Sequence, residues 1–503
     1  MTQLKKIIAT VLFATSTLSA MAGGLLTNTN QNASFLRQMS QNGIIDITGL
    51  YANPAGTAFL ENGWHLSLNN QSAWQTRNIK TTFPLFAYNV NDHNTMHEFE
   101  GKATAPAIPS FQVSYNHDKW SVFGNFALVG GGGKCEFDKG LGSFEALYSG
   151  QIYSSVAQNV AMQLASQAAL GYATQAIPQL MAAGMTLEQA QAAVAGPAAE
   201  YGKQYAQEHL NETMQQAYQG YSLDAYMKGR QYYFGLTLGG TYKITDNLAI
   251  SAGIRGVYAT CNYNGYVQDV KYTVGGQTAD ANSDLTLNCD QTGFAITPII
   301  GFDCKINDQW NVAVKYEMTT RMSLKNKTEM NDFAKAQAAD PTNALAQFKD
   351  GEKVREDIPG IIAVGAQYKP IEAVRINASM NYYVDKNAKK YNNKQKMLDD
   401  NTLEIIAGAE YDICKYLTVS ASWQNTNYGQ SDAYMNDLSF NLSSNSIGCG
   451  FRINATERCS IDLGYMHTFY QNRTVNTETA AGIKSDLYNR TNNVVGVGVN
   501  LNF

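Results

Sequence analysis

The eight residues LTVSASWQ, positions 417–424, alternate strictly between two kinds of side chain. Leu417, Val419 and Trp423 lie on one face of an extended chain, whereas hydroxyl and amide side chains lie on the other. A repeat of two residues places one face of a strand in an apolar medium and the other in a polar medium. The stretch therefore predicts an amphipathic β-strand.

The same alternation recurs along the second half of the chain. It is found in WNVAVKYEM (310–318), VRINASMNY (374–382) and LEIIAGAEY (403–411). A soluble β-sandwich would show the same repeat. Three further features favour a transmembrane β-barrel: the alternating segments approach or exceed about ten residues, aromatic residues cluster at their ends, and their connections are alternately short and long.

About fourteen candidate strands can be placed, an even number as single-chain bacterial barrels require. We expect them near 64–74, 109–117, 119–129, 231–243, 247–263, 285–306, 309–326, 358–370, 372–385, 402–414, 416–428, 437–453, 456–473 and 490–503. Short turns should lie on the periplasmic side, and long loops should lie outside at 75–108, 130–230, 264–284, 327–357, 386–401, 429–436 and 474–489. The sequence thus predicts an all-β fold, an antiparallel transmembrane barrel of about fourteen strands.

The C-terminus has the same character. The chain ends with NVVGVGVNLNF (493–503), in which Val or Leu alternates with Gly or Asn until Phe503. A terminal amphipathic strand that ends on an aromatic residue resembles the C-terminal signal of assembled outer-membrane barrels. This segment favours the bacterial outer membrane as the location.

The N-terminus has the layout of a secretory signal peptide. A Lys-Lys pair precedes the short apolar core IIATVLFATSTL, and Ala20-Met21-Ala22 fits the small-x-small cleavage pattern. A membrane anchor needs about 20 apolar residues, more than this core provides. We therefore expect a cleaved signal peptide at 1–22 and a mature chain that begins near Gly23.

Composition excludes some classes of partner. The net charge of the 503-residue chain is −5 at pH 7, which gives no support for binding nucleic acid. Its 30 Tyr and 42 Gly residues, beside 10 Pro, suit many amphipathic strands. No segment after the signal offers the roughly 18 uninterrupted apolar residues of a membrane helix.

One long segment inside the second outer loop is helical in pattern. The Ala/Gln-rich stretch 145–228 contains a capping box, formed by Thr186 and Gln189. Gly196-Pro197 should stop that helix and start another. We expect a helical extracellular insertion at about 134–229.

The N-terminal region completes the layout. Residues 27–52 are not strand-like, and they lead into LYANPAGTAFL (50–60), which holds the triplet Asn53-Pro54-Ala55. With these features, about fourteen strands and a terminal Phe, the chain resembles the FadL family of outer-membrane transporters for long-chain fatty acids and related hydrophobic compounds. FLRQMSQNGIIDITGLYA (35–52) occupies the position of that family's hatch, and DIPGIIAVGAQYKP (357–370) looks like its segment leading into a mid-barrel strand.

The resemblance implies a domain layout and a function. A hatch at residues 23–62 would plug a barrel formed by residues 63–503. The expected function is passive uptake of hydrophobic small molecules such as long-chain fatty acids or aromatic compounds. We also expect a monomer set in outer-membrane lipid and lipopolysaccharide. No motif marks a catalytic nucleophile around His467, which lies within a late strand, so we expect no enzyme activity, and no cofactor.

Candidate ligand-contacting residues fall into three groups. The resemblance assigns to the hatch Asn53, Pro54, Ala55, Phe35, Leu36, Ile44, Ile45, Leu50 and Tyr51. A ligand carboxylate would need a lumenal cation, and strand parity turns inward Arg255, Lys315, Arg321 and Arg375, which could equally pair with lumenal Glu. The resemblance implies an interrupted third strand, and glycine permits a bulge there. A lateral opening, or simply a flexible loop, is therefore expected at Gly124, Gly130, Gly131, Gly132 and Gly133.

Two pairs of the seven cysteines could form disulfides. Cys261 and Cys289 flank one predicted hairpin symmetrically, and Cys449 and Cys459 flank another. The periplasm permits disulfides, and the odd number leaves at least one thiol free. We expect no metal site.

An alternative function stays open, a surface adhesin or receptor on a barrel scaffold, for which the helical insertion is the argument. Deletion of residues 145–228 would separate the two hypotheses, because an adhesin would lose partner binding and keep uptake. The sequence also leaves open which hydrophobic ligand is carried. It does not decide whether that ligand leaves sideways or through the hatch.

Overall fold

One closed sheet forms most of the molecule. The computed structural model describes residues 30–503, so the predicted signal peptide at 1–22 and residues 23–29 lie outside the described residues. The sheet has 18 strands, and every pairing between neighbouring strands is antiparallel. Within residues 30–503, no helix is both long and apolar enough to cross a membrane.

The strands are best given in chain order. They are β1 (Gly63–Thr82), β2 (Met96–His117), β3 (Trp120–Phe137), β4 (Tyr218–Thr245), β5 (Leu248–Val274), β6 (Gln277–Asp280), β7 (Leu285–Lys305), β8 (Trp310–Glu317), β9 (Ser323–Met330), β10 (Lys353–Arg355), β11 (Ile361–Ile371), β12 (Val374–Tyr383), β13 (Thr402–Cys414), β14 (Leu417–Asn427), β15 (Ser444–Thr456), β16 (Cys459–Tyr470), β17 (Arg473–Thr479) and β18 (Gly482–Asn502). The sheet closes because β1 pairs with β2 along one edge and with β18 along the other.

Four of these strands are parts of longer barrel strands, by which we mean one passage of the chain along the wall. β6 continues β7, β9 continues β8, β10 continues β11, and β17 continues β16, each beyond a short break. The wall therefore has 14 barrel strands, which confirms the predicted antiparallel β-barrel.

The barrel strands are longer than predicted on the side of the long loops. β4 and β5 reach back to Tyr218 and on to Val274, so much of the predicted loop 264–284 is strand. The predicted loops 75–108 and 474–489 are likewise largely strand. Beyond the membrane both faces of a strand can meet water or packed loops, so the two-residue repeat that marks a strand fades there.

The two faces of the wall differ as the alternation predicts. Large apolar side chains are exposed on the outer surface, with Trp423 at 42%, Val497 at 46% and Ile376 at 47%. Their polar neighbours point inward, and Ser422 and Asn377 are buried there. An apolar outer band is the surface that lipid contacts in such barrels.

The N-terminal segment lies inside this barrel as a hatch. It contains α1 (Ala33–Arg37) and two 3-10 helices, Ile47–Gly49 and Pro54–Phe59. A short polar side chain caps each one, namely Asn32, Asp46 and Asn53. Such caps satisfy backbone donors that a short helix leaves unpaired, which explains why a segment without a helix-length repeat still folds here.

A helical hairpin follows β3. It consists of α2 (Gly142–Ala182) and α3 (Leu187–Ala217), so the helices occupy less than the predicted 134–229. The capping box at Thr186 is confirmed. The predicted stop at Gly196-Pro197 is wrong, because Pro197 lies inside α3 and packing against α2 overrides the local signal.

The remaining helices are short and lie in outer loops. They are α4 (Asp332–Ala338) and the 3-10 helices Pro84–Tyr88, Ala344–Phe348, Asp385–Asn387 and Tyr391–Met397.

Candidate functional site

Glycines on the inward face of the wall let the hatch approach it closely. A Cβ at Gly464 in β16 would lie 2.7 Å from the carbonyl oxygen of Ala33. One at Gly365 in β11 would lie 2.8 Å from the amide nitrogen of Gly43. Real Cβ atoms do not come so near, so larger residues would push the hatch out of place. This contact explains glycine in strands that it otherwise weakens.

Arg37 ties α1 to the wall through two carboxylates. Its Nε donates to Asp462 Oδ1 at 2.7 Å, and its Nη1 donates to Glu410 and to the hydroxyl of Ser420. The Arg37 side chain is 2% exposed, so both ion pairs lie away from water. Buried charges are tolerated when they are paired and hydrogen-bonded, and here the pairing fixes the hatch.

A second ion pair holds the middle of the hatch. Nη1 of Arg452, in β15, donates to Asp46 Oδ2 at 3.0 Å. Burial by itself raises the pKa of Asp46, but the Arg452 charge and hydrogen bonds from Thr48 outweigh it and hold that pKa below its ordinary value. The carboxylate therefore stays ionised, and its contribution to holding the hatch is lost only as the pH falls below the ordinary range for Asp.

Two of the predicted lumenal cations bind one carboxylate beside the hatch. Nη2 of Arg255 donates to Glu317 Oε1 at 3.1 Å, and Nζ of Lys315 donates to the same oxygen at 2.7 Å. Lys315 also donates to the backbone carbonyl of Tyr51 at 2.8 Å. Both cations do face inward, but their charges are already paired.

The other two predicted cations differ from each other. Arg375 faces inward and pairs with Asp412 at 2.6 Å and with Glu410 at 3.3 Å. The inward placement of Arg321 is wrong, since its side chain is exposed in the break between β8 and β9. The break ends the regular alternation, so parity counted through it fails.

The triplet Asn53-Pro54-Ala55 joins the hatch to β1 and is buried throughout. Asn53 Oδ1 accepts from the amide of Gly56 at 3.1 Å, which caps the 3-10 helix that Pro54 begins. Asn53 Nδ2 donates to Asp303 in β7 and to the carbonyl of Ile44. One side chain thus connects three segments: the elbow, the hatch and the wall.

We expect Asn53→Ala to leave the barrel assembled and to lower ligand uptake. The substitution removes the cap, worth about 1–2 kcal/mol, and one of the donors to buried Asp303. Thermal unfolding and uptake of a labelled fatty acid by cells would measure the two effects. Asn62→Ala, at an exposed position, is the matched control. Unchanged uptake in Asn53→Ala would reduce the triplet to a structural elbow.

The apolar hatch residues of the prediction pack against the wall. Phe35, Leu36, Ile44 and Leu50 are buried, whereas Ile45 and Tyr51 are partly exposed. Phe35 and Tyr51 help to line a cavity of about 60 Å³ between hatch and wall. A protein cavity known to accept benzene has about 150 Å³. The hatch therefore leaves no room here for a hydrocarbon ligand.

Beyond the hatch, on the side of the long loops, the lumen changes character. Inward residues around the hatch are polar, for example Asn69, Gln112 and Ser251. Farther out they form one apolar cluster with the inner loops, which includes Ile79, Phe99, Ala127, Val129, Tyr233, Val257, Ala259, Leu287, Leu324, Phe348, Met435, Leu438, Phe440 and Val475. These side chains are buried against one another and the inner loops, and such apolar surroundings are unsuited to sugars and ions but suit an alkyl or aryl group.

The hydrogen-bond ladder of the wall is interrupted between β2 and β3. Lys102 pairs with Glu136 and Phe111 with Phe126, but residues 103–110 and 127–135 between them are unpaired. β3 holds one residue more than β2 in this interval. We call the unpaired interval the β2–β3 gap. Its edges carry members of the apolar cluster, so it lies where the apolar lumen meets the wall.

Two features of sequence keep the gap unpaired. Pro106 and Pro109 in β2 have no backbone N–H to donate. On β3, Gly131 and Gly133 have positive φ of 99° and 70°, and the pairing of β3 with β4 is also irregular there. Gly130 to Gly133 therefore lie in the gap. The placement of Gly124 there is wrong, because it pairs regularly with Val113.

The hatch reaches this gap with Gln31. Its side-chain Nε2 donates to the carbonyl of Leu128 at 2.9 Å, and its Oε1 accepts from the amide of Leu128 at 2.7 Å. An amide side chain thus takes the place of the missing strand partner. Sequence reasoning missed Gln31, Pro106 and Pro109, although two prolines within a predicted barrel wall are a usable signal of broken pairing.

Neither predicted disulfide is present, and all seven cysteines are free. Cys261 faces Gln291 and Cys289 faces Tyr263, so the two thiols sit diagonally at about 7–8 Å, beyond easy bridging. Cys449 faces Tyr465, about 20 Å along β16 from Cys459. Within residues 30–503, no cluster of three or more His, Cys or acidic side chains could hold a metal ion.

Solved structures share this architecture. A Pseudomonas aeruginosa FadL homologue aligns with a TM-score of 0.61 and 13% identity over 96% of this chain and 100% of that chain. The Pseudomonas putida toluene transporter TodX aligns at 0.50 and 11%, over 96% and 100%. The Ralstonia pickettii toluene transporter TbuX aligns at 0.50 and 10%, over 97% and 98%. Identities this low show the fold alone.

Comparison of sequences identifies the family. No curated protein matches the chain. The sequence profile described as outer membrane protein transport protein (OMPP1/FadL/TodX) matches residues 202–503, more than half of the chain and most of the barrel wall. Together with the closed 14-strand barrel, this match means that the chain belongs to the OMPP1/FadL/TodX family of outer-membrane transport proteins and is not an enzyme.

Proposed function

We propose that this protein takes up hydrophobic small molecules, such as long-chain fatty acids, by passive diffusion into the barrel and out through its wall. The observation that carries the proposal is the β2–β3 gap, where the hydrogen-bond ladder of the wall is interrupted and the edges carry members of the apolar cluster, while the hatch occupies the lumen on the other side. The ligand enters from outside, leaves water in the apolar lumen and exits sideways.

The energetics suit such a path. Each methylene that leaves water gains about 0.8 kcal/mol, so a long chain is drawn into an apolar lumen. Leaving that lumen for water on the periplasmic side would reverse the gain. Leaving for the hydrocarbon core of the membrane would not, because lipid is as apolar as the lumen. A lateral exit therefore solves the problem of release.

The proposal assigns roles to residues of the gap. Gly130 to Gly133 keep β3 irregular, and Gln31 covers the backbone of Leu128 until a ligand displaces it. The hatch residues Phe35 and Tyr51 mark the inner limit of the path, because the cavity of about 60 Å³ that they help to line is too small for the ligand. The hypothesis of an adhesin rests on the hairpin, whose outer half exposes Met162 and Leu170 at 54% and 70%.

Uptake by cells tests the function. Cells that lack their own transporter of this kind should accumulate labelled oleate or toluene once they make this protein. In planar bilayers the purified barrel should conduct few ions, because the hatch fills the lumen. A barrel that binds neither probe and yet passes sucrose freely would contradict the proposal.

A further inference from the structure

Two arginines face each other inside the apolar part of the lumen. Arg77 in β1 and Arg490 in β18 are directly opposite in the strand register, and both side chains point inward. They are 2% and 7% exposed. Like charges directly opposite in a sheet repel each other, and burial removes the water that would screen them.

Neither guanidinium has a carboxylate partner among residues 30–503. Nε and Nη2 of Arg77 and Nε of Arg490 are buried without a hydrogen-bond acceptor. Each group instead lies near an aromatic ring, Arg77 at 5.7 Å from the centroid of Phe440 and Arg490 at 5.0 Å from that of Tyr470. This differs from Arg37, Arg255 and Arg375, which are all paired with acids.

The nearest acid on the same strand face is already used. Asp486 lies four residues from Arg490 along β18, about 13 Å away. It accepts from the Thr81 hydroxyl at 2.7 Å and pairs with Lys484. Asp486 therefore leaves the charges of Arg77 and Arg490 uncompensated.

We propose that Arg77 and Arg490 form a subsite for the carboxylate of an amphiphilic monocarboxylate, whose alkyl or aryl tail lies in the apolar outer lumen. Two guanidinium groups can bind one carboxylate with several charge-assisted hydrogen bonds, which is the geometry that arginine favours. The anion would remove the repulsion between the two cations. This inference rests on the proposed function and narrows its ligand to an anionic class.

The subsite lies beside the outer end of the β2–β3 gap. Arg77 is paired with Gly101, next to the Lys102–Glu136 pair where the gap ends. A head group held here would leave its tail next to the opening through which it exits.

A matched pair of ligands tests the subsite on the full barrel in a non-ionic detergent. Octanoate and octan-1-ol share a tail length and differ in charge, and calorimetry measures the affinity of each. We expect wild type to bind octanoate more tightly. The double variant R77Q/R490Q should lose about 10–100-fold in affinity for octanoate and keep its affinity for octan-1-ol. R458Q/R473Q, at exposed or partly exposed positions, is the control and should match wild type.

The outcomes separate this inference from the proposed function. If wild type and R77Q/R490Q bind octanoate with equal affinity, the proposal of a carboxylate subsite is overturned. If both still bind octan-1-ol, the proposed transport of hydrophobic molecules is unaffected by that result. A wild-type barrel that binds neither compound overturns both. Removing two unpaired buried charges should not harm folding, and thermal unfolding checks this. The single variants R77Q and R490Q repeat the binding test with only one charge removed.

Discussion

Cells that carry a gap-closed variant should accumulate no more labelled oleate than cells without the barrel. The variant combines Pro106→Thr, Pro109→Thr and deletion of Gly131. The two threonines restore backbone donors to β2. The deletion removes the one extra residue of β3, so that the register on both sides of the gap agrees. A continuous ladder would then pair residues 103–110 and close the lateral exit.

The deletion of Gly131 should also make the pairing of β3 with β4 more regular. β3 is irregular against β4 at Leu128 to Gly130 and again at Gly130 to Gly133, and loss of Gly131 removes part of that mismatch. Assembly is therefore expected to survive, as the shift in gel mobility on heating would show. Ligand binding in the lumen should persist while uptake is lost.

A control separates the contributions. Pro106→Thr and Pro109→Thr without the deletion leave the extra residue in β3, so the registers still disagree and the gap should stay. That control is expected to keep most of its uptake. Uptake at the wild-type level in the full gap-closed variant would show that the ligand leaves through the hatch instead.

Arg37→Met should release the hatch and turn a sealed barrel into a conducting one. Methionine has a side chain of similar length but no charge, so the substitution leaves Asp462 and Glu410 without the arginine that they share. Loss of one member of a buried ion pair costs about 3–5 kcal/mol, and the lower end applies here because Arg452 and Arg375 still bind these carboxylates. The cost falls on the seating of α1 in the barrel.

Ion conductance in planar bilayers is the direct measurement. Wild type should conduct little, whereas Arg37→Met should open frequently, and cells making it should become sensitive to polar antibiotics. Arg458→Met makes the same change at an exposed turn and should behave as wild type. If the Arg37→Met barrel conducts as little as wild type, the close glycine contacts and the Asp46 ion pair hold the hatch without the ion pairs of Arg37.

Much of the fold could be predicted because the alternation of apolar and polar side chains in a membrane barrel appears within each single strand. In LTVSASWQ each residue meets either lipid or lumen, so one strand shows its two faces without reference to its neighbours. The capping box at Thr186 was predictable for the same reason, since its partners are three residues apart. The stop at Gly196-Pro197 failed because contacts with α2, distant along the chain, decided it.

The candidate site was less predictable because it depends on contacts between distant segments. Parity turned Arg255, Lys315 and Arg375 inward but could not show that each already has an acid beside it. Nor could it show that Arg77 and Arg490, more than 400 residues apart, lie opposite each other unpaired. The distinction between a satisfied cation and a free one lies in the register of the sheet.

The sequence by itself therefore determined the barrel and its membrane face, since each follows from residues near one another in the chain, whereas the hatch position followed from the resemblance to a family. The tertiary structure alone decided the extent of the β2–β3 gap, the free cysteines and the arginine pair. A one-residue difference between two strands, or a two-residue offset between two thiols, leaves the alternation of each strand unchanged. It appears only when the strands are placed side by side, because hydrogen bonds and ion pairs depend on distance across the sheet.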